Sequence, residues 1–582
     1  MSYDENGIPI VPESLQLYDS FKQDPPFAKA FTYTWVSVAV FCVLISSPRI
    51  ARSIKTGRLW AALRGVGEDY GPTSYESIDT ATSSEKHSSG QSSRRPATRL
   101  RGWMSALAGW SLYEPPFLRL DVGQIILLLG YLSTLLACIL KDAQLRTNAN
   151  RAGFLAVAQL PLVFLLATKN NILATLMGRG YEKLNFLHRW SGRAIFLSAT
   201  IHGALWIQSH LRIGVKFNQD KEMRGLAAYA ILCLIVLTSV KPVRKLAYQF
   251  FFMTHIVGFI AFFVLVCYHT PYAQPWIFPA IAFYALDMLM RLFRFRFKPA
   301  TLSAPDSQIT FINVDGCDFG WVAGQHVRVR ALYGGRVFES HALSICNAPA
   351  NISTISSSHG QIFLAARVVG DWTRSLNAFA QAIDDHSTEE QCCDDKLPEQ
   401  QITVMLDGPY GGISFDLGTY EHVLLVAGGA GITFTLGVLD DLVGRIVRLG
   451  RPYGERTNKI ELAWCIKSFG AIKWFASQLD DVATAAAKDP SLELHIKFFV
   501  TCLCDPEQVP DIPNSEATME KPSIADMLDE FVSGASHGTG GIGIAASGPH
   551  SLVSEARNTV AKLGLRAARV GGVALHTEVF CL

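Results

Sequence analysis

The sequence predicts three successive parts: an α-helical bundle of about seven membrane-spanning helices, an antiparallel β-barrel and a doubly wound α/β domain. Two observations divide the 582 residues in this way. Long apolar runs recur before about residue 298, and each is near the length that a bilayer core requires. After that point, short alternating strands come first, and buried strands separated by helical stretches follow them.

The apolar runs predict seven candidate spans. They cover 29–47, 121–140, 151–168, 185–207, 225–240, 247–269 and 276–293. Lys and Arg residues follow the first and fifth spans and end the seventh, which favours a cytoplasmic location for those loops. Residues 1–28 are therefore expected outside, and residues 29–298 form the transmembrane domain. A Ser-rich stretch at about 65–100 is expected to be a disordered cytoplasmic loop.

The soluble half divides near residue 417. QITFINV, HVRVRAL and QIFLAARVV have the alternating pattern of strands, so 299–416 is expected to be the antiparallel barrel. In 417–582, the stretch HVLLVAGGAGITFTLG indicates a buried strand, a glycine turn and a helix. KIELAWCIKS, LELHIKFFVT and GIGIAASG continue as strands between helical stretches, which predicts a parallel doubly wound sheet. Polar inserts at 384–400 and 505–522 are expected to be surface loops.

Composition narrows the choice of function only slightly. The formal net charge of +2 gives no indication of nucleic-acid binding. The 12 cysteines form no CxxC pair and have no zinc-ligand spacing. The lipid bilayer is therefore the one partner that composition itself indicates.

Four histidines in two apolar stretches are the main candidate site residues. His188 and His202 lie in one stretch, His255 and His269 lie in another, and each pair is fourteen residues apart. On a helix this offset is about 21 Å of rise and returns both rings to nearly one face. A single histidine in an apolar helix is more often an ordinary polar residue than a ligand. Two pairs with one shared spacing favour axial ligation of two haem irons, one by His188 with His255 and one by His202 with His269.

The soluble half contains a series of motifs in a specific order. HALSI, AGQHV and RVVGDWTRSL resemble the flavin-binding segments of ferric reductases, and DGPYGG, AGGAGIT and ASGPHSLV resemble their nicotinamide-nucleotide segments. With the histidine pairs, the chain resembles the ferric reductase transmembrane family, of the fungal metalloreductase type that is related to NADPH oxidases. The glycine turn alone would be weak evidence, because such turns are common in doubly wound sheets.

The resemblance implies FAD on the barrel, NADPH on the α/β domain and two haem b groups in the membrane. For FAD it implies His341, Leu343, Ser344, Gly370 and Thr373. For the nucleotide it implies Gly408, Pro409, Gly429, Gly431, Thr433, Ser547, Gly548 and Pro549. Lys467 is a candidate for a 2′-phosphate contact, and an ordinary solvated lysine is an equal alternative.

The chain departs from the family pattern at two flavin positions. Ala342 and Leu343 stand where relatives have proline and an aromatic residue, which alters one stacking contact. Relatives usually end in an aromatic residue that covers the flavin, whereas this chain ends in Leu582. Phe580 is the candidate substitute for that aromatic residue.

The expected function is transfer of electrons from cytosolic NADPH through FAD and the two haems to an extracytoplasmic ferric or cupric chelate. A flavin is needed because it converts a two-electron donor into single-electron transfers. An oxidase that reduces oxygen to superoxide is the alternative. In the oxidase branch of the family the second histidine pair is typically one residue closer than the first, so the resemblance, with two equal spacings here, implies the metalloreductase. A haem-bearing redox sensor or assembly partner is an alternative of another class. The expected location is the plasma membrane, with the vacuolar membrane as the alternative, and no protein partner can be named.

Overall fold

The structure is a computed structural model of two compact units. The first contains Met1–Ile45, Ile126–Thr175 and Tyr181–Leu289, and the second contains Ser46–Ile125, Leu176–Gly180 and Met290–Leu582. Within these units, the residues that the structure describes are 18–57, 59–60, 64–68, 96–143, 148–214, 216, 219–358, 360–390, 401–502, 509–534 and 540–580.

The N-terminal half is helical. Helices of eight or more residues are numbered in chain order: α1 Pro25–Ile45, α2 Ser47–Lys55, α3 Pro96–Ser111, α4 Val122–Leu140, α5 Asn150–Ala158, α6 Leu160–Ala167, α7 Asn185–Ile213, α8 Asp220–Thr238, α9 Tyr248–His269 and α10 Gln274–Arg294. Shorter helices cover Ser20–Gln23, Ile172–Leu176 and Lys241–Leu246.

Among the described residues, five helical stretches are long and apolar enough to cross a membrane. They are Ser20–Ile45, Val122–Leu140, Asn150–Ala167, Tyr248–His269 and Pro271–Arg294. Helices α7 and α8 coincide with the two other predicted spans, but their polar and charged residues, such as His202 and Arg224, lower their hydropathy. The predicted helical bundle is therefore confirmed.

A fully buried ion pair joins the start of α1 to α5 in the first unit. Arg151 Nε lies 2.6 Å from Asp24 Oδ1, and both side chains are completely buried. Arg151 also donates to the carbonyls of Cys138 and Lys141, at 3.0 Å each. A buried charge is tolerated only when it is paired and its donors are satisfied, and both conditions hold here.

The second unit contains the predicted barrel. Its strands are β1 Arg296–Asp306, β2 Ile309–Asp315, β3 Gln325–Ala331, β4 His341–Ser344, β5 Gln361–Arg367 and β6 Gln401–Gly411. Their order is β4-β3-β6-β1-β2-β5, and an Ile345–Leu364 bridge joins the two edges. Helix α11, Asp371–Glu390, follows β5. The barrel begins at Arg296, three residues before the predicted boundary, because Arg296 already pairs with Leu406 of β6.

A parallel six-stranded sheet follows the barrel. Its strands are β7 His422–Gly428, β8 Lys459–Ile466, β9 Glu493–Val500, β10 Ser515–Thr518, β11 Ile542–Gly548 and β12 Val573–Val579. The helices between them are α12 Ile432–Val447, α13 Ala476–Ala486, α14 Ile524–Gly534 and α15 His550–Leu563, with short helices at Gly470–Lys473 and Leu565–Arg569. The order β10-β9-β8-β7-β11-β12 reverses direction between β7 and β11, and ligands of such sheets bind at this switch point.

Helix α12 packs closely on a loop of the barrel domain. A Cβ atom added to Gly437 would lie 2.5 Å from the Ile345 carbonyl oxygen, and one added to Gly444 would lie 2.0 Å from that of Ile352. Between these glycines, buried Asp440 accepts hydrogen bonds from the 348–354 loop, including 2.6 Å from Ser353 Oγ. Burial raises the pKa of Asp440, and the donated hydrogen bonds oppose that rise.

Several predictions fall on residues outside the described ranges. These are residues 1–17 of the N-terminal segment, 69–95 of the Ser-rich loop, 391–400 and 503–508 of the polar inserts, and Leu582. The described ends of the 65–100 segment differ from the expected disorder: Gly67 bridges to Phe319 of the barrel domain, and α3 begins at Pro96.

Gly444→Ala should destabilise the second unit, because the methyl group would overlap the Ile352 carbonyl and overpacking of this kind costs about 1–3 kcal/mol. Gly534→Ala is the matched control, because no described residue lies within 4 Å of a Cβ atom there. The measurement is the unfolding temperature of the detergent-solubilised protein by tryptophan fluorescence. Equal unfolding temperatures for the two variants would contradict the packing argument.

Candidate functional site

The four histidines form the two cross-pairs that the sequence predicts. The ring centres of His188 and His255 are 6.3 Å apart, and those of His202 and His269 are 6.2 Å apart. Two imidazoles that bind one metal ion from opposite sides through bonds of about 2 Å place their ring centres about 6 Å apart. Both separations therefore fit a shared metal ion.

Each histidine is oriented by a hydrogen bond at its Nδ1 atom. The acceptors are the carbonyls of Val163 for His188 at 3.0 Å, Ala149 for His202 at 2.8 Å and Lys221 for His269 at 2.7 Å, and Ser239 Oγ for His255 at 3.2 Å. A carbonyl only accepts, so Nδ1 carries the proton in those three rings. The Ser239 hydroxyl donates to Ile235 O and so accepts from His255 as well. The other ring nitrogen, Nε2, is thereby left as a lone-pair donor for a metal.

Two glycines leave room for the rings of the second pair. A Cβ atom added to Gly153 would lie 2.9 Å from the His202 ring, and one added to Gly225 would lie 2.6 Å from the His269 ring. Gly153 and Gly225 are each four residues after the anchoring carbonyl, at Ala149 and Lys221. A helical side chain covers the turn before its own Cα atom, so glycine at this position exposes the carbonyl to the ring.

The predicted flavin residues come together at one end of the barrel. His341 begins β4, and its ring stacks on Trp372 with centres 4.1 Å apart and planes inclined by 20°. Burial lowers the pKa of His341, although Glu339 lies 3.5 Å away. Ser344 ends β4 and is buried, and Leu343 packs against the barrel core.

The turn before α11 has the form of an anion site. Thr373 Oγ1 accepts from the backbone N–H groups of Val369 at 2.9 Å and Gly370 at 3.0 Å. The turn leads directly into the helix N-terminus, where backbone donors and the dipole favour a phosphate. Trp372 Nε1 is buried with no hydrogen-bond partner within the described part of the chain, so a donor is available to a ligand.

Six of the predicted nucleotide residues, Gly429, Gly431, Thr433, Ser547, Gly548 and Pro549, lie at the switch point between β7 and β11. A Cβ atom added to Gly431 would lie 2.1 Å from the Ser547 carbonyl oxygen, and one added to Gly428 would lie 2.8 Å from Pro549. Gly429 has φ +54°, which favours glycine, and buried Thr433 donates to Ala430 O at 2.9 Å. The glycines thus form a narrow cradle between the two strand ends.

The buried Ser547 hydroxyl at this cradle has no hydrogen-bond partner among the described residues. Ser547 is completely buried, and its Oγ atom makes no hydrogen bond to any described residue. Gly548 follows it at the end of β11, and the Gly548 carbonyl accepts from the backbone N–H of Phe580 at 3.0 Å. An orphaned hydroxyl is costly unless a ligand completes it, which fits a nucleotide site.

The remaining predicted residues lie at other places. Lys467 is exposed one residue beyond β8, at the same edge of the sheet as the Gly429 turn. Gly408 and Pro409 lie in β6 of the barrel, where Arg294 donates to the Pro409 carbonyl at 2.7 Å. Phe580 follows β12 and packs against the core beneath the α/β sheet.

Sequence reasoning missed several residues of this site. A Cβ atom at Gly429 would lie 3.1 Å from Arg367 Nη1, and Trp464 Nε1 donates to the Gly429 carbonyl at 2.9 Å. Arg367 therefore brings a positive charge from the barrel to the glycine turn. Its position at the start of the RVVGDWTRSL motif was the available signal.

Two parts of the chain match known family models. Residues 152–266 match the ferric reductase like transmembrane component, and residues 420–509 match the ferric reductase NAD binding domain. The first range includes His188, His202 and His255, and the second includes the Gly429 turn and Lys467.

Known proteins resemble parts of the chain. The probable cell surface ferric reductase kap2 of Aspergillus oryzae is 26% identical over 379 residues, which cover 61% of this chain and 48% of that protein. Ferric reductase transmembrane component 3 of Saccharomyces cerevisiae is 27% identical over 363 residues, or 60% and 46% of the two chains. The chain thus spans about half the length of these relatives.

A solved ferredoxin NADP+ reductase from Neisseria gonorrhoeae, with bound FAD and NADP, matches 49% of this chain and 98% of its own. Its sequence identity is 14% and its TM-score is 0.32.

Gly225→Ala should displace the His269 ring from the Lys221 carbonyl and lower the haem content of the purified protein by up to half. Gly203→Ala is the matched control, since this glycine adjoins His202 and has nothing within 4 Å of an added Cβ atom. The haem-to-protein ratio and the absorption spectrum are the measurements. Wild-type values for Gly225→Ala would refute the role of this glycine.

Proposed function

We propose, since this chain belongs to the ferric reductase family, that it transfers electrons from NADPH across a membrane to a ferric or cupric chelate. The proposal depends on two histidine pairs that face each other between helices of the bundle. The same chain also contains an antiparallel barrel that carries the flavin motifs and a parallel sheet that carries the nucleotide motifs. When bound, FAD supplies conversion between hydride and single-electron transfer, and haem b supplies one-electron carriage.

His188 with His255, and His202 with His269, would hold the two haem irons. Their Nδ1 hydrogen bonds fix the ring orientation, and orienting partners of this kind also raise the basicity of a histidine ligand. The two histidines of each pair would hold one haem iron between the helices that carry them. The ferric or cupric acceptor is proposed to be met on the side of the second pair, His202 and His269.

The barrel residues would bind and orient FAD. Gly370 and the N-terminus of α11 would bind the pyrophosphate, with Thr373 holding the turn in shape. The stacked pair of His341 and Trp372 forms a flat, partly buried surface at the start of β4. Within the described part of the chain, Trp372 Nε1 is a buried donor without a hydrogen-bond partner, and it would donate to the flavin. Ser344 would contact the flavin ring system at the end of β4.

The switch point would bind NADPH. The Gly429 and Gly431 turn lets the backbone approach a pyrophosphate, and Arg367 adds positive charge beside it. The Ser547 hydroxyl would meet the nicotinamide portion, and Gly548 and Pro549 would line the same crevice. Lys467 is proposed as the contact for a 2′-phosphate, since it is an exposed cation at the same sheet edge.

Phe580 is proposed to cover the flavin in place of a terminal aromatic residue. Its backbone N–H is bonded to the Gly548 carbonyl, which keeps it beside the nucleotide crevice. Gly408 and Pro409 of β6 are proposed as further nucleotide contacts.

The proposed location is the plasma membrane, with the first histidine pair, His188 and His255, nearer the cytoplasm and the second pair farther from it. The basic residues Arg49, Arg52, Lys241 and Lys245 after the first and fifth spans support this orientation.

His202→Ala should remove about one haem and nearly all reduction of an external ferric chelate, because one clamp loses a ligand. Oxidation of NADPH by a soluble dye should persist, since the barrel and sheet are unchanged. His210→Gln is the control: this histidine lies on the same helix but pairs with Glu222 at 2.7 Å. Unchanged haem content in purified His202→Ala would refute the ligand assignment.

The identity of the acceptor is tested separately. Cells that express the protein should reduce a ferric chelate at a rate that superoxide dismutase does not change, because the metal is reduced directly. The assay follows ferrous iron by a colorimetric chelator, with His202→Ala cells as the blank. Complete suppression by the dismutase would favour the oxidase.

A further inference from the structure

One face of helix α3 is bound to the nucleotide-binding domain. Ser105 Oγ donates to the Val573 carbonyl and accepts from the Val573 N–H, at 2.7 Å each. A Cβ atom at Gly102 would lie 2.9 Å from the Ala568 carbonyl oxygen, and Gly109 faces Val560. Leu112 packs against the same core. These four positions recur every three to four residues and form a single helical stripe.

The opposite face of α3 is apolar and exposed. Trp103, Met104, Leu107 and Trp110 have exposed fractions of 56%, 57%, 70% and 58%. From Gly102 to Tyr113 the sequence GWMSALAGWSLY contains no charged residue. Soluble surfaces rarely expose a contiguous stripe of large apolar side chains, so this face has a partner other than water.

The chain beyond α3 continues the exposed apolar surface toward a membrane span. Phe117 is completely exposed and Leu118 is 57% exposed. Helix α4, one of the stretches able to cross a membrane, begins at Val122, only a few residues later. The exposed face is therefore tethered within a short distance of the bilayer that α4 would enter.

We propose that the exposed face of α3, formed by Trp103, Met104, Leu107 and Trp110, lies in the lipid headgroup region of the membrane leaflet on the nucleotide-domain side. Tryptophan is enriched at membrane interfaces because it has a large apolar ring and one N–H donor. A helix with one apolar face in the interface lies in the plane of the membrane. Since the other face of α3 is bonded to β12, this helix anchors the nucleotide-binding domain to the lipid surface.

The anchor reaches the nucleotide crevice through one acidic residue. Glu114, which follows α3, lies 3.0 Å from His550 and 3.5 Å from Arg557. The backbone of Glu114 also exchanges hydrogen bonds with the side chain of Asn558, at 2.8 and 3.4 Å. His550 directly follows Pro549 of the proposed nucleotide site. Glu114 thereby connects the proposed lipid-bound helix α3 to α15, the helix that begins at the nucleotide site.

The test places a photo-crosslinking benzoylphenylalanine at single positions in the full-length protein, reconstituted in vesicles of phosphatidylcholine and phosphatidylserine. After irradiation, adducts are identified by mass spectrometry. Positions 107 and 110 should yield lipid adducts at least five-fold more often than position 519. Met519 is the control because it is also exposed, at 56%, but follows β10 at the edge of the α/β sheet. Position 112, on the bound face, should yield adducts within the protein.

Using two positions on the exposed face guards against a variant that misfolds, and Trp110 exchanges one aromatic residue for another. Adducts of positions 107 and 110 with a second copy of the chain, or with another part of the same chain, would overturn the proposal. Lipid labelling equal to that of position 519 would overturn it as well.

Discussion

The proposed electron path depends on hydrogen bonds between histidine rings and the helices beside them. The positions of His202 on α7 and His269 on α9 do not by themselves make the two rings face each other. Each ring is held through Nδ1 by a carbonyl of a neighbouring helix, at Ala149 and Lys221. A hydrogen bond of this kind fixes the orientation of the ring and leaves Nε2 as the free lone-pair donor. The second pair therefore depends on four helices: α7 and α9 carry the rings, and α8 and the residue before α5 orient them.

Close approach to a backbone is a shared requirement of the histidine pairs and of the nucleotide region. Glycine allows it in each case, at Gly225 beside a ring, at Gly431 beside the Ser547 carbonyl and at Gly444 beside the Ile352 carbonyl. Helix α12 uses it twice, because its N-terminus adjoins the nucleotide turn while its flank packs on the barrel loop that follows Ser344. The relative position of the flavin and nucleotide regions thus depends on glycines, because a side chain at these positions would push the two backbones apart.

Hydrophobic periodicity and the order of the motifs were sufficient to predict the main elements of the fold. The bundle, the barrel, the doubly wound sheet and the partners of all four histidines follow from spacing. Gly153 and Gly225 could not be singled out, since their meaning depends on which helix lies beside them. Arg367 was likewise hidden, because it belongs to the barrel strand β5 but faces the Gly429 turn of another domain. Helix α3 was missed because its bound face consists of Gly102, Ser105 and Gly109, whose role depends on residues 560–573, which are remote in the sequence.

Helix α2, which follows the first stretch able to cross a membrane, also contacts the segment that leads into the α/β domain. Arg52 of α2 pairs with Asp416 at 2.9 Å, and Arg49 donates to the Ser414 carbonyl at 2.9 Å. The Ser414 N–H in turn donates to His576 of β12, the strand that carries Phe580. Asp416 also binds buried Arg445 of α12, so this segment is held from both sides. A buried ion pair adds little net stability but penalises other arrangements. Helix α2 therefore acts as part of the nucleotide-binding domain, and a soluble fragment that lacks it would lose the contacts that hold 414–416 in position.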